Sequence, residues 1–115
     1  MNVTQETAAV EEIAATIKGQ IGIWPFAEVG ARDFKYGRFT LQGETPQLPG
    51  LAFTAKPTTR LVEVYVLLDS SDTYTIVVRK RNTHEIVTLA RWEGIYAGQL
   101  PSVIRLLPEQ LSVKK

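Results

Sequence analysis

The sequence predicts an α+β domain: an antiparallel sheet of about five strands, with an N-terminal and a C-terminal helix packed on one face. Three observations predict it. Arg60 to Arg91 holds three short apolar segments separated by turn residues. Asn2 to Ile17 repeats apolar side chains at helical steps of three, four and seven. Ile95 to Leu107 places Leu100, Val103, Ile104 and Leu107 on one helical stripe ahead of Pro108. A sheet that is apolar on one face needs a cover, and the two end helices supply it.

The N-terminal helix draws its apolar face from Val3, Val10, Ile13, Ala14, Ile17 and Ile21. Asn2 or Thr4 caps it, and Gly19 or Gly22 stops it. Glu6, Glu11 and Glu12 lie toward its positive end and Lys18 toward its negative end, as the helix dipole favours. A strand is then expected from Phe26 to Ala31, with Gly30 marking a bulge or a close backbone approach. Arg32 to Gly37 reads as a loop or irregular hairpin bearing two aromatics, and Arg38 to Gly43 as a second short strand. Pro46, Pro49 and Gly50 form the least regular part of the chain. Leu51 to Ala55 is expected as a short edge strand. The stretch from Glu44 to Pro57 therefore reads mostly as a long loop.

Leu61 to Leu68 is a continuous apolar run broken only by Glu63. It is short, rich in β-branched residues and bounded by turn chemistry, so it is expected as a central strand. Asp69-Ser70-Ser71-Asp72 turns the chain, because such side chains bond their own backbone. From Thr73 to Arg81, Tyr74, Ile76 and Val78 point one way, and Thr75, Val77 and Arg79 the other. Val64, Val66, Ile76 and Val78 are the expected core. A reversal at Arg81-Asn82-Thr83-His84 leads to a third strand, Glu85 to Arg91. Trp92-Glu93-Gly94 reads as a linker. Pro101 fits the first turn of the last helix, where the missing N–H costs nothing. Pro108 ends that helix, and Glu109 to Lys115 is expected to fray.

At 115 residues the chain is read as a single domain, 1–115, able to bury a core without a metal or disulfide. It has no cysteine, which excludes disulfides, thiolate nucleophiles and zinc–thiolate sites. No segment approaches the roughly 20 apolar residues of a membrane span. Met1 to Glu12 has two adjacent glutamates and no basic region, unlike a signal or transit peptide. A cytoplasmic protein is expected. Net charge is +1, but it is unevenly spread. Up to Asp72 there are six Lys/Arg against nine Asp/Glu, and from Thr73 on seven against three.

Asp72-Thr73-Tyr74 with the alternating strand it opens, Gly30-Ala31 ahead of a basic residue, and Tyr96-Ala97 with Gln99-Leu100 opening the last helix carry a resemblance. Between Phe26 and Leu107 the chain resembles a group of small proteins encoded by bacteriophages and integrated mobile elements. Gly98 stands where that pattern has an acid, and Pro101 where it has an ordinary helix former. The resemblance implies a setting, mobile DNA in a bacterial host cell, and a fold; it implies no activity.

Enzyme chemistry is not expected. His84, the lone histidine, sits at a turn without the nucleophile and orienting carboxylate that a base needs. Asp69 and Asp72 are too few for a hard-cation loop and read as turn caps. Gly19-Gln20-Ile21-Gly22 lacks the third glycine and the preceding strand of a nucleotide fingerprint. No catalytic residue, cofactor or metal is therefore assigned. Arg79, Arg81 and Arg91 are the candidate anion-binding or partner-binding residues, if Arg91 lies across from Arg79 on an exposed face. The competing reading is an edge strand kept soluble by charge. The expected function is a non-enzymatic accessory protein that binds another protein, or a second copy of itself. Weak nucleic-acid binding through the arginine face is the alternative, with a structural virion component as a third; no membrane partner is expected.

Overall fold

The computed structural model describes residues 3–40, 47–69, 72–80 and 87–112. In chain order these form α1 (Val3–Ile21), α2 (Ile23–Glu28), β1 (Arg32–Phe39), β2 (Leu48–Ala55), β3 (Val62–Leu68), β4 (Tyr74–Lys80) and β5 (Thr88–Ile95). A 3-10 turn (Ala97–Gln99), α3 (Leu100–Arg105) and α4 (Leu107–Ser112) follow. The strands make one antiparallel sheet in the order β1-β2-β3-β4-β5, so the α+β class holds and β3 is its centre.

Alternation along the strands sorts side chains between two faces. On one face Leu51, Phe53, Val62, Val64, Val66, Ile76 and Val78 are buried with Ile17, Ile21, Leu100, Ile104 and Leu107 of the helices. Complete burial of each such side chain contributes roughly 1.5–3 kcal/mol, which is why this face selects the fold. Tyr74 Oη donates to Gln20 Oε1 at 2.9 Å, tying β4 to α1. On the other face Leu67 and Val77 make a smaller apolar cluster beneath Phe39, Leu48 and Tyr65.

α1 runs past Gly19 to Ile21, and Gly22 stops it. Gly22 has φ 86° and its N–H donates to the Lys18 carbonyl at 3.0 Å. Residues 23–28 then depart from expectation, forming α2 in place of the start of a Phe26–Ala31 strand. Pro25 lies in the first turn, where no N–H is required, and Gly30 ends the element at φ 64°. Gly30 is thus a helix terminator, not a bulge. The Lys56 N–H donates to the Val29 carbonyl at 2.8 Å and fastens the end of β2 to the end of α2.

Arg32–Gly37, expected as a loop or an irregular hairpin bearing two aromatics, is most of edge strand β1. An edge strand with little to bury shows no apolar alternation, so the sequence pattern hid it. β2 begins three residues before the expected Leu51 and is an interior strand, paired on both sides. Pro49 is its second residue, opposite Arg38. Gly50 faces Leu67, and a Cβ there would sit 2.2 Å from the Val66 carbonyl oxygen, so glycine is needed for that close approach. β5 runs through Trp92-Glu93-Gly94, which is strand and not linker; Ala90 and Trp92 pack on the main core. Ile95 ends β5, so the C-terminal helix starts later than expected. Pro108 does not end it: α3 stops at Arg105, and Pro108 sits in the first turn of α4, where it is tolerated. Residues Glu109–Ser112, expected to fray, belong to α4. Arg81, His84 and the Arg81–His84 reversal lie outside the described residues, as do parts of the Glu44–Pro57 and Asp69–Asp72 segments.

Candidate functional site

β4 presents Arg79 on the face away from the helices, and the register sets Glu63 of β3 opposite it. The Arg79 guanidinium lies over the Tyr65 ring, 4.9 Å from its centroid, and Nη2 donates to the Thr40 carbonyl at 3.3 Å. Tyr65 Oη donates to Glu63 Oε1 at 3.0 Å. Arg79 Nε is buried without a hydrogen-bond partner. Burial raises the Tyr65 phenol above its ordinary pKa; the Glu63 charge and hydrogen bond add to this, and Arg79 opposes it. The three side chains form a self-neutralising cluster in which a cation stacks on an aromatic ring.

Arg91 is elsewhere. Its Cα partner on β4 is Val77, and a register shift between Val78 and Arg79 leaves Thr88 opposite Arg79. Arg91 Nε donates to Glu93 Oε2 at 2.6 Å. Arg91 and Arg79 are therefore diagonal, each beside its own glutamate, and Arg81 lies outside the described residues. An unshifted register would also leave the two arginines diagonal, and the shift adds one residue to their separation.

The Asp69–Asp72 turn uses its carboxylate locally. Thr73 Oγ1 donates to Asp69 Oδ1 at 3.2 Å, and the Asp72 N–H donates to the Asp69 carbonyl at 3.2 Å. Asp72 adopts φ 62°, a left-handed position that aspartate tolerates. Among the described residues no group of three His, Asp or Glu is placed to hold a metal ion. A hollow of about 30 Å³ between β1, β2 and β3 is lined by Asp33, Lys35, Thr54, Glu63 and Tyr65 among others. That is room for one water, against the several hundred Å³ of a ligand pocket.

Exposed chemistry concentrates on the β1 edge. Arg32, Lys35 and Arg38 stand against one acid, Asp33, and nearly all of the strand's side chains are exposed. Tyr36 is 46% exposed and Phe34 37%. Phe34 is anchored from below, edge-on to Phe26 at 5.0 Å, and Lys18 Nζ sits 4.5 Å from its ring centroid. Arg32 and Asp33 are 3.9 Å apart and well exposed, a separation and setting worth little. The bulge at Arg32–Lys35, with Asp33 at φ 56°, gives way to regular pairing from Lys35 to Phe39. This surface went unread because the segment was expected as a loop or irregular hairpin, with Arg38 starting a separate strand; the interleaving of Arg32, Phe34, Lys35, Tyr36 and Arg38 was the available signal. A second apolar site, Ile23 and Trp24 at 75% and 70% exposure, projects from the start of α2.

No protein-family model, curated protein or solved structure matches the chain. No helix among the described residues is long and apolar enough to cross a membrane.

Proposed function

We propose that the chain is a non-enzymatic binding protein that acts on another protein, and that the β1 edge is the surface it uses. The setting implied by the resemblance, a bacteriophage or integrated element, is part of the same proposal. The observation that carries it is the regular Lys35–Phe39 edge, exposed and bearing Tyr36 between two cations. Unpaired strand edges recruit other chains unless something blocks them, and from Lys35 to Phe39 the described residues set charge, and no register shift, against such pairing. The arginine face supports nucleic-acid binding less well, because Glu63 and Glu93 sit beside Arg79 and Arg91. DNA binding no tighter than the micromolar, salt-sensitive range of non-specific contacts is expected.

The test is a photo-crosslinking side chain at Tyr36, compared with one at Thr88 on β5, in the cell that expresses the protein. A discrete protein adduct from the Tyr36 probe that the Thr88 probe does not give supports the reading. Adducts to nucleic acid alone, or no adduct from Tyr36, overturn it.

A further inference from the structure

We infer that the β1 edge takes an extended, acidic polypeptide segment as an added strand of the sheet. This rests on the reading of β1 as the binding surface and names the chemistry of what it binds. Every second residue of an edge strand aims its N–H and C=O away from the sheet, and a partner backbone satisfies them. From Lys35 to Phe39 the pairing with β2 shows no register shift, so a further strand would meet an even ladder.

Charge selects the partner's sign. Arg32, Lys35 and Arg38 outnumber Asp33 along the strand, and Lys18 of α1 adds a further cation beside Phe34. Lys35 shares the Ala52 face, while Arg38 shares the opposite face with Tyr36. Both faces of an incoming strand therefore meet a cation. Acidic residues opposite Lys35 and Arg38 complement them, and a basic strand is repelled. Tyr36 offers apolar area between the charges, and Gly37 leaves room for a large cross-strand side chain, its nearest neighbour being the Phe39 ring at 3.8 Å.

A single nucleic-acid strand would also meet cations and aromatics here. Stacking needs free ring faces, and Lys18 already lies over the Phe34 ring. Tyr36 alone does not make a platform for successive bases. The observations favour a peptide.

The test uses the whole chain and a dye-labelled, end-capped peptide containing Val-Glu-Tyr-Val-Glu, read by fluorescence anisotropy. The acidic peptide is expected to bind at least about tenfold more tightly than the same peptide with lysine for glutamate. The double variant K35E/R38E is expected to reverse that preference while remaining folded by circular dichroism, since both side chains are exposed. N-methylation of one alternating set of peptide nitrogens should abolish binding and N-methylation of the other set should not, because only one set faces the β1 ladder and both leave the charges. Equal binding of the two N-methylated peptides, no reversal in the double variant, or preferential binding of oligothymidine each overturns the inference. A Tyr36 crosslink to a protein, combined with failure of these peptide tests, would leave the β1 binding reading standing and remove only strand addition. Failure of the Tyr36 crosslink removes both.

Discussion

The two edges of the sheet stop the hydrogen-bond ladder by different means. β5 does so with its backbone. Its pairing with β4 shifts register twice, between Tyr74 and Ile76 and between Val78 and Arg79, and Gly94 adopts φ 66°. Its charges are internally matched, Arg91 against Glu93 at 2.6 Å. β1 shifts register once, at Arg32–Lys35, and is then regular to Phe39 with an excess of cations. A twisted, bulged edge offers no even row of donors and acceptors to any partner. A charged edge repels only partners of like sign or none. The difference makes β5 a poor template for any added strand, whereas the regular part of β1 is the better template and carries charge of one prevailing sign.

Both edges hang on the same centre, so the largest effect belongs there. Val66 is fully buried on β3. Val66→Asp should unfold the domain, since an unpaired buried charge costs several kcal/mol, on the order of the whole stability. A soluble variant with an unchanged melting temperature would remove β3 from the centre and with it the distinction between the edges.

Gly50→Ala comes next. The added methyl meets the Val66 carbonyl at 2.2 Å and Leu67 Cα at 2.9 Å, both backbone and unable to swing aside. A loss of about 1–3 kcal/mol in denaturant unfolding is expected. An unaffected midpoint would mean that β2 and β3 do not approach as closely as described.

Glycine also compares the edges directly. Gly94→Ala on β5 should destabilise by about 1 kcal/mol, because alanine resists positive φ there even though space is open. Gly37→Ala on β1 should be neutral or slightly stabilising, since that backbone is ordinary and the new methyl has only the Phe39 ring nearby. Equal effects at the two positions would erase the backbone contrast.

The smallest effect lies in the alkaline limb. The Tyr65 and Tyr74 phenols are raised, chiefly by burial, above the ordinary value of about 10. Above that pH the unfolded chain loses these protons before the folded one, so stability is full below pH ~10 and falls as pH rises through the folded values. Tyr65→Phe should flatten part of that fall and leave the neutral range nearly unchanged. An identical alkaline limb in the variant would count against the Glu63–Tyr65–Arg79 cluster.

The legible parts of the fold were those that bury a periodic pattern. The apolar run of β3, the alternation of β4 and the face of α1 stand out because their burial dictates their spacing. α2 did not, since six residues containing Trp24, Pro25 and Phe26 hold no full helical repeat. β1 did not, because an edge strand with exposed side chains leaves no hydrophobic trace. Pro49 and Gly50 looked like loop punctuation, yet Gly50 is there for close strand approach and Pro49 sits near the strand start. At the candidate site, Arg79 and Arg91 were recognisable as strand arginines on one face. Their diagonal placement, and Glu63 opposite Arg79, only the register reveals, while Glu93 two residues beyond Arg91 was missed because Trp92-Glu93-Gly94 was read as a linker.

The most direct test of the contrast between the edges is backbone amide NMR of the labelled chain, titrated with the acidic Val-Glu-Tyr-Val-Glu peptide. The largest shift changes are expected at Lys35–Phe39, with hydrogen exchange slowed at the outward amides of that segment and Thr88–Ile95 unmoved. Changes centred on β5, or on Ile23 and Trp24 with β1 unmoved, would contradict the account.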